Sequence, residues 1–331
     1  MFKSNDIDKR IHSKISQYEF AAMIFVFLFA LYFLITESGN YGDYRFYLAT
    51  AEGDLENYYY GYWLLPLFKF LVLIPFKLGY IFWITISIIG VWFASRVFNG
   101  NSILAILSYQ MSYALFWGQI SGIICGFLGL FWWALHHRKW NLAGFAILIA
   151  AAKPQSGGLF IFILWLLADI SWRNKARVLI IPFIGFSLSL LFYPGWILEV
   201  LSRMDGLYTW GNISLTQWVG FWSLLLFIPA IFLPMKRENR YLVLVSVSIL
   251  ASPYFLHTDL LTLFIFPIGL IPILLGYLPG IMLQFIGYAG QPSGIIVPIF
   301  VVLLNIVPII SIIDKKHYRS IFGKTLKKTK M

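Results

Sequence analysis

Charge is scarce in this chain and cysteine nearly absent. Asp, Glu, Lys and Arg make up 12% of the 331 residues, against 60% hydrophobic and 19% aromatic, and the mean hydropathy is +0.79. A water-soluble globule carries about 25% charged residues, so the composition excludes one. The lone Cys125, within the apolar run GIICGFLGLFWW, excludes a disulfide framework and a thiolate metal site. The long apolar runs lack the alternation of barrel strands. Hydrocarbon leaves backbone amides no partner but each other, so these runs read as membrane helices. No small-residue cleavage site follows the apolar run at 20 to 35, which therefore reads as a retained first span behind Lys3, Lys9, Arg10 and Lys14. No repeat links the two halves.

What is present is a succession of apolar runs, at 20 to 36, 79 to 97, 101 to 117, 119 to 136, 140 to 153, 157 to 172, 177 to 193, 213 to 235, 240 to 256, 259 to 274, 277 to 290 and 294 to 313. They predict an all-α, polytopic transmembrane bundle of about twelve spans forming a single membrane domain over 1 to 331. Several runs fall short of the twenty or so residues of a straight span, which predicts tilted or broken helices. With residues 1 to 19 cytoplasmic and one crossing per run, the cytoplasmic segments hold twenty of the 25 Lys and Arg. Only Arg45, Lys69, Lys77, Lys153 and Arg203 fall outside. This asymmetry orients the chain in a cell membrane with both ends cytoplasmic, and it accounts for the net charge of +11 without nucleic acid. Residues 315 to 331 read as a basic, solvated tail facing lipid headgroups. The stretch at 61 to 79, broken by Pro66 and Pro75 and carrying Lys69 and Lys77, reads as an interfacial or re-entrant helix within the first outer loop, 37 to 78.

That topology puts the polar clusters on one face: 39 to 62, 116 to 122, 150 to 158, 252 to 260 and the long loop at 193 to 218. After Asp43, apolar or aromatic residues at Tyr44, Tyr47, Leu48, Ala51 and Leu55 predict an amphipathic helix lying flat on the bilayer. Asp43 at its start is either a helix cap or a carboxylate placed to take a proton from an acceptor hydroxyl. Pro154 predicts that a helix ends at Lys153. The lysine either snorkels to headgroups or, beside Gln155, Ser156 and two glycines, meets a polar ligand. The Gln119 amide, in a tight Gly-Gln turn, bonds neighbouring backbone or reaches a ligand. His257 and Asp259 either cap helices or bind a phosphate or hydroxyl, with Asp259 orienting the imidazole. Their spacing, like that of Asp54 and Glu56, is weak support for a divalent cation, and no metal ligand is assigned. Among the outer cations Lys153, with Arg45 and Arg203 assisting, would stabilise negative charge growing on a bound phosphate.

The ordered set GDYRFYLATAEG, YWLLPLFKFLVLIPFKLG, the block from WGQISG through HHRKWNLAG to AAAKPQSGG, and SPYFLHTDLLTLFIFP resembles the GT-C superfamily of polytopic glycosyltransferases, most closely the polyprenol-phosphate-mannose-dependent enzymes of family 87. The resemblance implies inverting transfer of a sugar, such as mannose, from a polyprenyl-phosphate donor to an extracytoplasmic glycan or glycolipid. It implies Asp43 as general base, Gln119 and Lys153 in the donor pocket, and His257 at the Ser-Pro…His position. The rival classes are a transporter or flippase of a lipid-linked or sugar substrate, which would show repeats and midplane charges, and a polymerase or ligase, which would use outer-loop arginines.

Overall fold

The computed structural model describes residues 4–55, 58–203 and 212–306. Among them there is no strand, only an isolated bridge between Asn212 and Leu256. The all-α expectation therefore holds. The first helices are α1 (Ser4–His12), α2 (Gln17–Thr36), α3 (Gly42–Glu52), α4 (Leu65–Val72), α5 (Phe76–Phe98), α6 (Ser102–Ile106) and α7 (Tyr109–Trp117). There follow α8 (Ser121–His136), α9 (Trp140–Ala150), α10 (Leu159–Leu167), α11 (Trp172–Val178), α12 (Ile180–Phe192) and α13 (Trp196–Arg203).

Among the described residues, three helices are long and apolar enough to cross a membrane: α2, α5 and the continuous Trp172–Phe192. The pair α7 and α8 makes a fourth if counted as one span bent by 117°. The remaining apolar segments run to 10–17 residues, and local chemistry interrupts them. Ser108 caps α7 by accepting from the Met111 amide, which divides the run at 101 to 117 into two helices. The run at 140 to 153 stops at Ala150 rather than at Lys153. The stretch at 61 to 79 is broken as expected, between α4 and the Pro75 that caps α5.

The bundle centres on α5 against α8. A Cβ on Gly90 would lie 2.7 Å from the Gly122 carbonyl oxygen, and one on Gly126 would lie 2.8 Å from Gly90 Cα. Gly129 meets Ala94 as closely. Lipid tails give helices no hydrophobic drive to associate, so a stripe of small residues that lets two backbones touch is what holds such a pair.

One end of this pair is tied by charge. Arg96 on α5 meets Glu19 on α2 at 2.5 Å with both side chains 9% exposed, and it also donates to the Arg10, Ser13 and Lys14 carbonyl oxygens. Arg96, counted above among the orienting cations, is thus a buried clamp. The opposite end of α2 and α5 carries α3 and the polar clusters.

Candidate active site

Asp43 enters the site because α3 is turned inward. Tyr41 caps the helix in a left-handed conformation at φ 50°, and Asp43 falls in the first turn, so it is not the cap residue. The apolar face of α3 is docked on protein: Tyr44 and Tyr47 are fully buried, Tyr47 stacks on Phe68 at 4.9 Å, and the Tyr44 and Tyr47 rings each lie within 5.5 Å of Trp83. Aromatic pairs of this kind contribute about 0.5–1.5 kcal/mol each beyond burial. The face expected to lie on lipid is occupied by α4 and α5.

Gly118 brings Gln119 to the same place. At φ +73° it makes the bend between α7 and α8, and a Cβ there would lie 2.6 Å from Tyr44 Cβ, so only glycine fits the turn against α3. Trp83 holds the Gln119 carbonyl at 3.3 Å. The Gln119 Oε1 atom is buried with no hydrogen-bond partner among the described residues.

Lys153 follows three residues after α9, in an extended conformation at φ −109°, ψ 88°, as its following proline requires. The chain then makes a five-residue π-turn, Pro154–Gly158. Lys153 is only 2% exposed. Its ammonium lies 2.5 Å from Asp259 Oδ1 and 3.4 Å from Ser121 Oγ. A lysine so placed does not snorkel to headgroups.

The turn His257–Leu260 supplies the last wall. Asn212 Oδ1 accepts from the Phe255 and Ser214 amides, both at 3.0 Å, which pins the segment leading into it. His257 lies against Tyr113 at 5.4 Å and Tyr109 at 6.1 Å. Asp259 is fully buried and accepts from Lys153 and from Ser121 at 2.9 Å. It stands behind the wall rather than in it, where it holds the lysine.

Asp43, Gln119, Lys153, Gln155 and His257 line one cavity of about 250 Å³. Arg45 is exposed on α3, 5.8 Å from the Tyr41 ring and 5.7 Å from that of Phe76, and has no place in the wall. Arg203 closes α13, with its side chain outside the described residues, as Glu56 is. Among the described residues no three His, Cys, Asp or Glu side chains converge as metal ligands. Burial pushes the Asp43 carboxyl up to about 6, with the Lys153 ammonium and the Gln119 amide pulling it down and the Asp259 carboxylate adding to the rise.

Sequence reasoning missed most of the aromatic lining: Tyr59, Tyr60, Tyr113, Trp117 and Tyr254. Tyr60 is held by the Tyr47 hydroxyl at 3.2 Å, and its loop is fixed to the end of α9 by the Gly61 amide on Ala152 and by the Trp63 indole on Leu148. Thr258 and Gln291 complete the polar part. The only signals were three consecutive tyrosines in a polar loop and a late Gly-Gln-Pro turn.

The model of glycosyltransferase family 87 matches residues 58–261. The chain belongs to glycosyltransferase family 87. It is a membrane glycosyltransferase, which removes the transporter, flippase and polymerase readings. The family 87 match takes in Gln119, Lys153, Gln155, His257 and Asp259 and begins downstream of Asp43 and Arg45. Comparison with curated proteins and with solved structures returned no match.

Proposed function

We propose that this cavity transfers a hexose such as mannose from a polyprenyl-phosphate donor to a glycan or glycolipid, with inversion, on the extracytoplasmic face of the twelve-span bundle expected from the sequence. The observation that carries the reading is that Asp43 and Lys153, far apart in the chain, line one small aromatic-walled hollow. A carboxyl near 6 is a competent base at neutral pH.

The acceptor hydroxyl gives its proton to Asp43 as its oxygen bonds to the sugar C1. The C1–phosphate bond breaks on the opposite face, and its electron pair leaves with the polyprenyl phosphate. An ammonium has three N–H bonds. Two of those on Lys153 are turned to Asp259 and Ser121, and the third serves the departing phosphate, where charge grows in the transition state.

The tyrosine and tryptophan faces suit the C–H face of a sugar ring, and Gln119 Oε1 and Thr258 Oγ1, both buried without partners among the described residues, suit its hydroxyls. Arg45 has no role in this scheme. The test is release of polyprenyl phosphate by the purified protein given a polyprenyl-phosphate hexose and candidate acceptors. Asp43→Asn should lose about 10²-fold or more in turnover, as general-base variants do, with the fold retained. Turnover that survives the substitution would refute the assignment.

A further inference from the structure

A cavity of about 250 Å³ holds a sugar phosphate and little more, so a lipid tail attached to that phosphate has to leave it along some wall. The side formed by α3 and α4 is closed. Tyr44, Tyr47, Tyr58 and Phe68 there are all fully buried, and Tyr47, Phe68 and Trp83 pack against one another.

α7 presents the opposite case. Tyr109, Tyr113 and Trp117 recur every four residues and so share one helix face. Their rings form a ladder with centroids 5.6 Å and 5.8 Å apart, and all three are half-buried rather than closed in. Trp117 and Tyr113 belong to the cavity wall. Tyr109 does not, and extends the ladder beyond it. The ladder spans about 12 Å in all, and the four residues from Tyr113 to Tyr109, at 1.5 Å each, carry it about 6 Å beyond the cavity wall, toward the end where Ser102 bonds Glu19.

The far bank is the helix Leu278–Ile286, whose Gly280 packs so close to Tyr109 that a Cβ would lie 2.5 Å from the ring. Tyr277 lies 6.3 Å from Tyr109, and Ile281 and Phe285 of this helix are exposed.

We infer that the Tyr109–Tyr113–Trp117 ladder, banked by Leu278–Ile286, seats the first isoprene units of the donor's lipid tail. The inference rests on the donor proposed above and adds where its tail runs. Three aromatic faces in a row, continuous with the phosphate pocket and open on one side, match a flexible chain of alkenes and methyl groups that must pass from the pocket into hydrocarbon. Ordering such a chain on rigid rings adds apolar contact beyond what bulk lipid gives near the pocket mouth.

The experiment compares two donors carrying the same sugar phosphate, one on a two-isoprene chain and one on a long polyprenyl chain. The protein should show a lower KM for the long donor, and Tyr109→Ala should raise that KM about tenfold, collapsing the ratio between the donors; tenfold matches the loss of a few buried methylenes. A ratio unchanged by Tyr109→Ala overturns the inference. Should the variant fail to fold, a long donor bearing a photoreactive diazirine in its second isoprene unit serves on the unmodified protein. Labelling within 109–117 or 278–286 supports the seat, whereas labelling confined to 42–72, or suppressed by excess phospholipid alone, overturns it. If neither donor yields polyprenyl phosphate, the proposed reaction fails; if both do with equal KM, only the ladder fails.

Discussion

The Lys153 ammonium and the Asp259 carboxylate lie 2.5 Å apart with side chains 2% and 0% exposed. Removing one partner of a buried ion pair leaves an uncompensated charge, whereas removing both is often tolerated. Asp259→Ala should therefore destabilise the protein by about 3–5 kcal/mol, and Lys153→Met combined with Asp259→Leu should recover most of that. Turnover should be lost in both. Thermal unfolding in detergent alongside product release separates the two effects; a double variant that regains activity would remove Lys153 from the reaction.

The pH profile follows from Asp43. Its carboxyl, raised by burial to about 6, must be ionised to accept a proton. Activity is thus present above that value and lost as pH falls through it, with kcat/KM dropping about tenfold per unit on the acid limb. An initial-rate profile at saturating acceptor should place the midpoint near 6 and not near the ordinary aspartate value of 3.8.

Gly118 tests how the bend positions Gln119. Gly118→Ala meets both a positive φ of +73° and Tyr44 Cβ at 2.6 Å, so α3 or Gln119 must shift, and kcat/KM should fall tenfold or more. Gly53→Ala is the control. Its φ is +116° with nothing within 4 Å, so it should cost only backbone strain of about 1–2 kcal/mol and leave the rate alone. Melting temperature and rate measured for both variants distinguish strain from displacement.

At the other end of the bundle, Arg96→Ala strands Glu19 in a buried position. The expected result is a loss of about 3–5 kcal/mol in stability with KM unchanged in the folded fraction. A raised KM would couple that clamp to the cavity.

The site was legible where polar groups are expensive. In a chain with 12% charge, Asp43, Gln119, Lys153 and His257 stand out because an apolar surrounding makes each one costly without a partner. Directions were not legible. His257 and Asp259 sit in a turn of 3₁₀ geometry, where residues two apart point to different sides, so spacing gave no warning that one faces the cavity and the other faces Lys153. Aromatic lining was hidden by abundance, since 19% of the chain is aromatic and Tyr60 or Tyr113 looks like any core ring. Periodicity foretold α3 but could not say whether its apolar face meets lipid or protein, and hydropathy could not foresee Ser108 dividing a run into two helices.

The stereochemistry of transfer decides whether Asp43 serves a single displacement. With a donor of defined anomeric configuration and a purified product examined by NMR, a single displacement assisted by Asp43 predicts the opposite configuration at C1. A product that keeps the donor's configuration would exclude a single back-side displacement and with it the role given to Asp43.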